Sequence, residues 1–131
     1  MTDTTRNGHR YSELHVAIVC HDALVGLGRV HEMIRGPEDQ APGTAPFMHL
    51  HPDLQAAAVN GVLLARQGVN RPEDHHRLWS EFLESRGWRN GPRDPDNKTH
   101  PDVGRSWHDL DPLDRDKNRL YLSTVVTLTI G

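Results

Sequence analysis

Residues 87–112 constrain this chain more than any other part of it. The segment GWRNGPRDPDNKTHPDVGRSWHDLDP contains prolines at 92, 95, 101 and 112 and glycines at 87, 91 and 104. No helix or central strand passes through such a run. Any fold must therefore carry an irregular arm between two better patterned segments. All three tryptophans, Trp79, Trp88 and Trp107, lie in or beside this arm, although the whole chain has only two Phe and two Tyr. Arg89, Arg93, Lys98 and Arg105 are interleaved with them. Flat rings and cations around one loop are what a site for a flat, anionic ligand needs.

The rest of the composition limits what that site can serve. A chain of 131 residues is the size of one domain and can bury a core without covalent staples. It is lean, with 35% apolar and 5% aromatic residues, so a small core helped by self-association is expected. A net charge of -3 argues against nucleic-acid binding through bulk electrostatics. The single cysteine, Cys20, excludes an internal disulfide and a cysteine-rich zinc site, and fits a reducing cytoplasm. No apolar run approaches the ~20 residues that span a bilayer. Met1–Arg10 is polar, lacks an apolar signal core and reads as a tail.

The patterning predicts a mainly α fold: a compact module of about four helices, with a short extended or β arm between the last two. Ser12 caps a first helix running to Arg35, stopped by Gly36-Pro37. Leu14, Ile18, Val25 and Met33 are expected on its inner face. Residues 36–46 read as a loop without regular structure, and Phe47 as an anchor onto the core. Pro52 opens a second helix ending near Gly68, with Leu54, Ala58, Gly61, Val62 and Ala65 inward. A third helix runs from about Pro72 to Arg86, and Gly87 ends it. Strand pieces are expected around Trp88-Arg89 and Val103. A fourth helix starts near Pro112, with Leu113, Lys117, Leu120, Val125 and Leu128 inward; its Thr- and Val-rich end argues weakly against helix. Residues 1–10 form the tail, 11–70 an N-terminal helical part, and 71–131 the core of the module.

The order of motifs in 73–130 resembles the RyR domain, the small repeat of ryanodine receptor calcium channels that also occurs as a stand-alone module in bacteria and phages. His76 and Trp79 match its HxxW, Gly87-Trp88 its GW, and Gly91-Pro92 its G-P pair. Asp94 and Lys98 match its polar loop and His100-Pro101 its H-P. Leu110 and Pro112 fall where its last helix begins, and Asn118 where that helix carries a polar residue. The chain departs from the pattern at Asp102, where the family has Cys, at Arg105-Ser106-Trp107, where it reads like V-P-Y, and at Arg89-Asn90, where an aromatic often follows GW. The resemblance implies a helical module whose repeats pair about a pseudo-twofold axis, with the HxxW tryptophans lining a cleft similar to a nucleotide-binding site.

The expected function is therefore non-catalytic, sensor-type binding of an adenine nucleotide or a nucleotide-derived signal, probed by a homodimer. No metal or cofactor is implied, nor a nucleic acid or a membrane. Trp79 and Trp107 would sandwich the base, with Trp88 either beside them or plugging the core where the chain leaves the helix. Arg89, Arg93 and Lys98 would meet phosphates, and His100 would touch the ligand or fix the loop. His76, Gly87, Gly91, Pro92 and Pro101 would shape the loop, His76 through a hydrogen bond to a backbone carbonyl. No Walker motif is present. His31-Glu32 imitates a zincin motif but lacks the second histidine, because Arg35 stands there. The alternative is a protein-interaction module that uses the tryptophans as a docking surface.

Overall fold

The computed structural model describes residues 10–35 and 45–129. The expected tail, apart from Arg10, and most of the expected 36–46 loop lie outside the described residues. Four helices carry the fold: α1 (Glu13–Arg35), α2 (Pro52–Arg66), α3 (Pro72–Glu84) and α4 (Pro112–Thr129). Between the last two runs the arm, with β1 (Arg89–Asn90) and β2 (Thr99–His100). The architecture is the mainly helical one that the patterning predicts. Among the described residues, no helix is long and apolar enough to cross a membrane.

Local chemistry explains the helix ends. Ser12 Oγ accepts from the His15 amide at 3.1 Å, satisfying a free N–H in the first turn of α1. His51 does the same for α2, its Nδ1 accepting from the Asp53 amide at 3.0 Å. At the end of α3, Gly87 takes φ of 91°. Its amide bonds Glu84 O and the Trp88 amide bonds Leu83 O, both at 3.0 Å. This is a Schellman closure, which requires a left-handed residue and favours an apolar contact across it. Trp88 and Leu83 supply that contact, both buried in one cluster with Ala57 and Val103.

The second cluster joins α1, α2 and α4 through Val16, Ala17, Cys20, Val62, Tyr121 and Val125, and Phe47 tucks into it. Here the helical face differs from expectation. Leu14 and Met33 are 43% and 83% exposed, whereas Ala17 and Cys20 are fully buried. The small side chains let the neighbouring helices approach closely, with Val16 buried and Ile18 and Leu24 packed beside them, while Leu14 and Met33 point away. The end of α4 is helical despite its branched residues. The hydroxyls of Thr124, Thr127 and Thr129 each donate to the carbonyl four residues back, so these polar groups are satisfied within the helix, and packing of Val125 in the core overrides the poor intrinsic propensity.

The arm is short-stranded and parallel, pairing Arg89 with Thr99 and Asn90 with His100. The second strand thus falls before Val103, which is instead a fully buried plug. A 3-10 turn at Pro95–Asn97 and a left-handed Lys98, φ 56°, roll the chain around so that both strands run the same way. Asn90 Nδ2 donates to the carbonyls of Pro101 and Val103 and closes the arm on itself.

Candidate functional site

A cleft of about 220 Å³ opens among the four helices and the arm. Its inner wall is apolar, with Leu24 from α1, Leu50, and Leu54, Ala57 and Ala58 from α2. α3 contributes His75, His76 and Trp79, and α4 contributes Asp114, Lys117, Asn118 and Tyr121 at helical spacing. The arm adds Arg93, His100 and Asp102. The cleft is therefore apolar at its base and charged where the arm meets α4.

Trp79 is half-buried. His76 stacks on it with ring centroids 5.7 Å apart, and His100 meets it edge-on at 5.1 Å. His76 is fixed from behind, because its Nε2 donates to the Arg105 carbonyl at 2.8 Å. One residue earlier in the loop, the Gly104 amide donates to Ser80 Oγ at 2.7 Å. α3 thus holds the loop through two polar side chains on one face.

The protonation of the buried histidines follows from their neighbours. Burial pushes the pKa of His100 down to about 3, helped by the Arg93 charge, so the ring is neutral at pH 7. Its Nδ1 accepts from the Asp102 amide at 3.0 Å, and an amide can only donate. The remaining ring proton is therefore on Nε2, which lies 3.1 Å from Arg93 Nη1. The exposed Arg93 guanidinium thus lies against the His100 ring at the edge of the cleft. Burial also lowers the pKa of His75. Its Nε2 donates to Gly61 O at 3.2 Å, leaving Nδ1 as an acceptor. Asn118 Nδ2 lies 3.5 Å from that Nδ1, which turns the Asn118 amide oxygen away from the ring. Gly61 makes this possible, since a Cβ there would lie 3.0 Å from His75 Nε2 and 3.2 Å from the Tyr121 hydroxyl.

Charge in the cleft is balanced. Burial and the neighbouring Asp114 push the Asp102 carboxyl up to about 6. Burial lowers the pKa of Lys117, and Asp114 and Asp102 oppose that shift. Asp102 Oδ1 and Asn118 Oδ1 are buried acceptors with no hydrogen-bond partner among the described residues. The groups best suited to nucleophilic chemistry are suppressed: burial raises the Cys20 thiol to about 12 and raises the Tyr121 phenol.

Of the expected ligand-binding residues, the structure brings Trp79, Arg93 and His100 together in the cleft and places the others elsewhere. Trp88 is 3% exposed, and its Nε1 donates to Asp53 Oδ2 at 2.9 Å. Lys98 reaches the same carboxylate at 3.3 Å and donates to Arg86 O. Trp107 is 8% exposed under the guanidinium groups of Arg115 and Arg119, so it does not face Trp79 across the cleft. Arg89 is exposed on β1 and is not part of the cleft wall. The shaping residues have visible roles. A Cβ on Gly91 would lie 3.0 Å from Thr99 Cβ, and the Pro92 and Pro101 carbonyls accept from Thr99 Oγ1 and Asn90 Nδ2.

Sequence reasoning missed Asp53, His75, Asp102, Asp114 and Lys117 as parts of these networks. His75 had a signal, being a polar residue on the apolar stripe of α3. The Asp102–Asp114 pairing had none, because it depends on where the arm lands. Among the described residues, no group of three or more His, Cys, Asp or Glu side chains is placed to hold a metal ion. Comparison with known protein families, curated proteins and solved structures returns no match.

Proposed function

We propose that this chain is a non-catalytic binding module for a nucleotide or nucleotide-derived signal, of the kind its resemblance to RyR domains implies. The observation that carries the reading is the meeting, in one cleft, of the Trp79 indole with the Arg93 guanidinium and the His100 ring. An aromatic ring beside the apolar wall suits a base, and stacking on it contributes ~1–3 kcal/mol. The Arg93 guanidinium suits a phosphate oxygen. A cleft of about 220 Å³ is smaller than the ~300–1,000 Å³ of sites that enclose drug-sized ligands. The base enters, and the phosphates stay at the rim beside Arg93. Carboxylates at Asp102 and Asp114 offset the cations, so the affinity is modest.

The suppressed thiol and phenol fit binding without chemistry. The lone, reduced Cys20 fits a cytoplasmic protein. Pairing of two copies belongs to the same proposal, and sedimentation velocity reads it directly. The docking-surface alternative is weakened by the burial of Trp88 and Trp107. Calorimetry with ATP, ADP, ADP-ribose and cyclic dinucleotides tests the reading. Binding of at least one, weakened at least about fivefold in Trp79→Ala, supports it; silence across the panel at millimolar ligand defeats it.

A further inference from the structure

The cleft holds an acceptor that its own neighbours cannot use. Gly61 O takes the His75 Nε2 proton, so His75 Nδ1 must accept, and Asn118 must present its NH₂ to that ring. The rival Asn118 orientation would set its oxygen against a lone pair. Asn118 Oδ1 is thereby directed away from His75 in the cleft wall, buried and without a protein hydrogen-bond partner among the described residues. Such an oxygen is costly to leave unmet, by more than a typical hydrogen bond gains. Asn118 lines the cleft, so a donor on an occupant is the group that would complete its hydrogen bonding. Asp102 Oδ1, in the same wall, is a second acceptor in the same condition.

We infer that the cleft selects a base carrying an exocyclic amino group, whose N–H donates to the Asn118 oxygen that His75 orients. This rests on the nucleotide reading above and adds the rule by which the base is chosen. The polarity of the cleft divides accordingly. The Asn118 acceptor on α4 meets the amino edge, while the Arg93 guanidinium on the arm meets the phosphate. A site built around an N–H donor rejects an analogue lacking it much more strongly than a hydrophobic pocket rejects a missing methylene.

The test compares ADP with purine riboside 5′-diphosphate, which has hydrogen in place of the amino group, by calorimetry on the full chain. The expected result is binding of ADP at least about tenfold tighter than the analogue. In Asn118→Leu, ADP should fall to the level of the analogue while the analogue is unchanged. The ligand comparison needs no variant to fold, so it decides the matter alone. Equal binding of the two ligands to the native chain overturns the amino-group rule and leaves the nucleotide reading standing. Failure of both to bind at millimolar concentration overturns the amino-group rule, and silence of ATP, ADP-ribose and cyclic dinucleotides as well overturns the nucleotide reading with it.

Discussion

Replacing Asp53 with alanine should destabilise the protein by about 2–4 kcal/mol, although the residue lies on the first turn of an ordinary surface helix. Its carboxylate accepts from the Trp88 indole at 2.9 Å and pairs with Arg86 at 3.2 Å and Lys98 at 3.3 Å. Trp88 is 3% exposed, so its N–H would be stranded in the interior at a cost of about 1–3 kcal/mol. Arg86 and Lys98 side chains are 45% and 42% exposed, so each pair adds no more than about 0.5 kcal/mol. Loss of an acidic residue at the positive end of α2 adds about 0.5 kcal/mol. Urea unfolding at pH 7, followed by indole fluorescence, measures the total. Lys98→Ala should cost under about 1 kcal/mol, and Asp53→Ala with Trp88→Phe should show coupling of about 1 kcal/mol or more. An Asp53→Ala cost within about 0.5 kcal/mol of zero, or one matched by Lys98→Ala, would refute the reasoning. The Trp88 hydrogen bond, with Arg86 and Lys98, holds the Asp53 carboxyl at about 2, below its ordinary 3.8. Its contribution is therefore present above pH 4 and is lost as pH falls toward 2.

Two glycine-to-alanine changes in helices should have opposite signs in thermal melts. Gly26→Ala meets nothing within 4 Å and should stabilise by up to about 1 kcal/mol, whereas Gly61→Ala drives a Cβ against the buried rings of His75 and Tyr121 and should cost about 1–2 kcal/mol net. Burial lowers the pKa of His75, His76 and His100, so the stability they contribute is full above pH 6.5 and lost as pH falls below it. Asp102 runs the other way: its raised carboxyl favours the fold below pH 4, and that benefit disappears as pH rises through about 6. Three imidazoles outweigh one carboxyl, so denaturation midpoints should drop between pH 7 and 5. Asp102→Asn should gain more stability at pH 7.5 than at pH 5, and an equal gain at both would contradict the burial of that charge.

The helices were legible because their starts and stops are local chemistry. Ser12, Pro52, Pro72 and Gly87 act through their own backbone neighbours, and a sequence displays these directly. Gly87-Trp88 could also be understood as a helix stop followed by a core plug, and the Schellman closure gives it that role. The hydrogen bond from His76 to the Arg105 carbonyl matches the loop-orienting role expected of it. The resemblance and the run of rings and cations in the arm point Trp107 and Lys98 at the ligand. The arm instead turns back on itself at Lys98, so Lys98 reaches Asp53 of α2, 45 residues earlier in the chain. Asp53 gave no sign of this, since an acidic residue in a first helical turn already has a reason to be there. On α1, Ile18 packs on the core as the pattern predicts, but Leu14 and Met33 are exposed and Ala17 and Cys20 take the buried positions. Close helix approach selects small residues, and hydropathy alone ranks them low.

The three tryptophans give the central claim its most direct measurement. In a ¹⁵N–¹H correlation spectrum of the native chain, each indole N–H supplies one cross-peak, assignable from single Trp→Phe variants. Titration with ADP should move the Trp79 peak progressively to saturation while those of Trp88, bonded to Asp53, and Trp107, sealed beneath Arg115 and Arg119, stay in place. A Trp79 peak that does not move at millimolar ADP, or a shift confined to Trp88 and Trp107, would contradict the account.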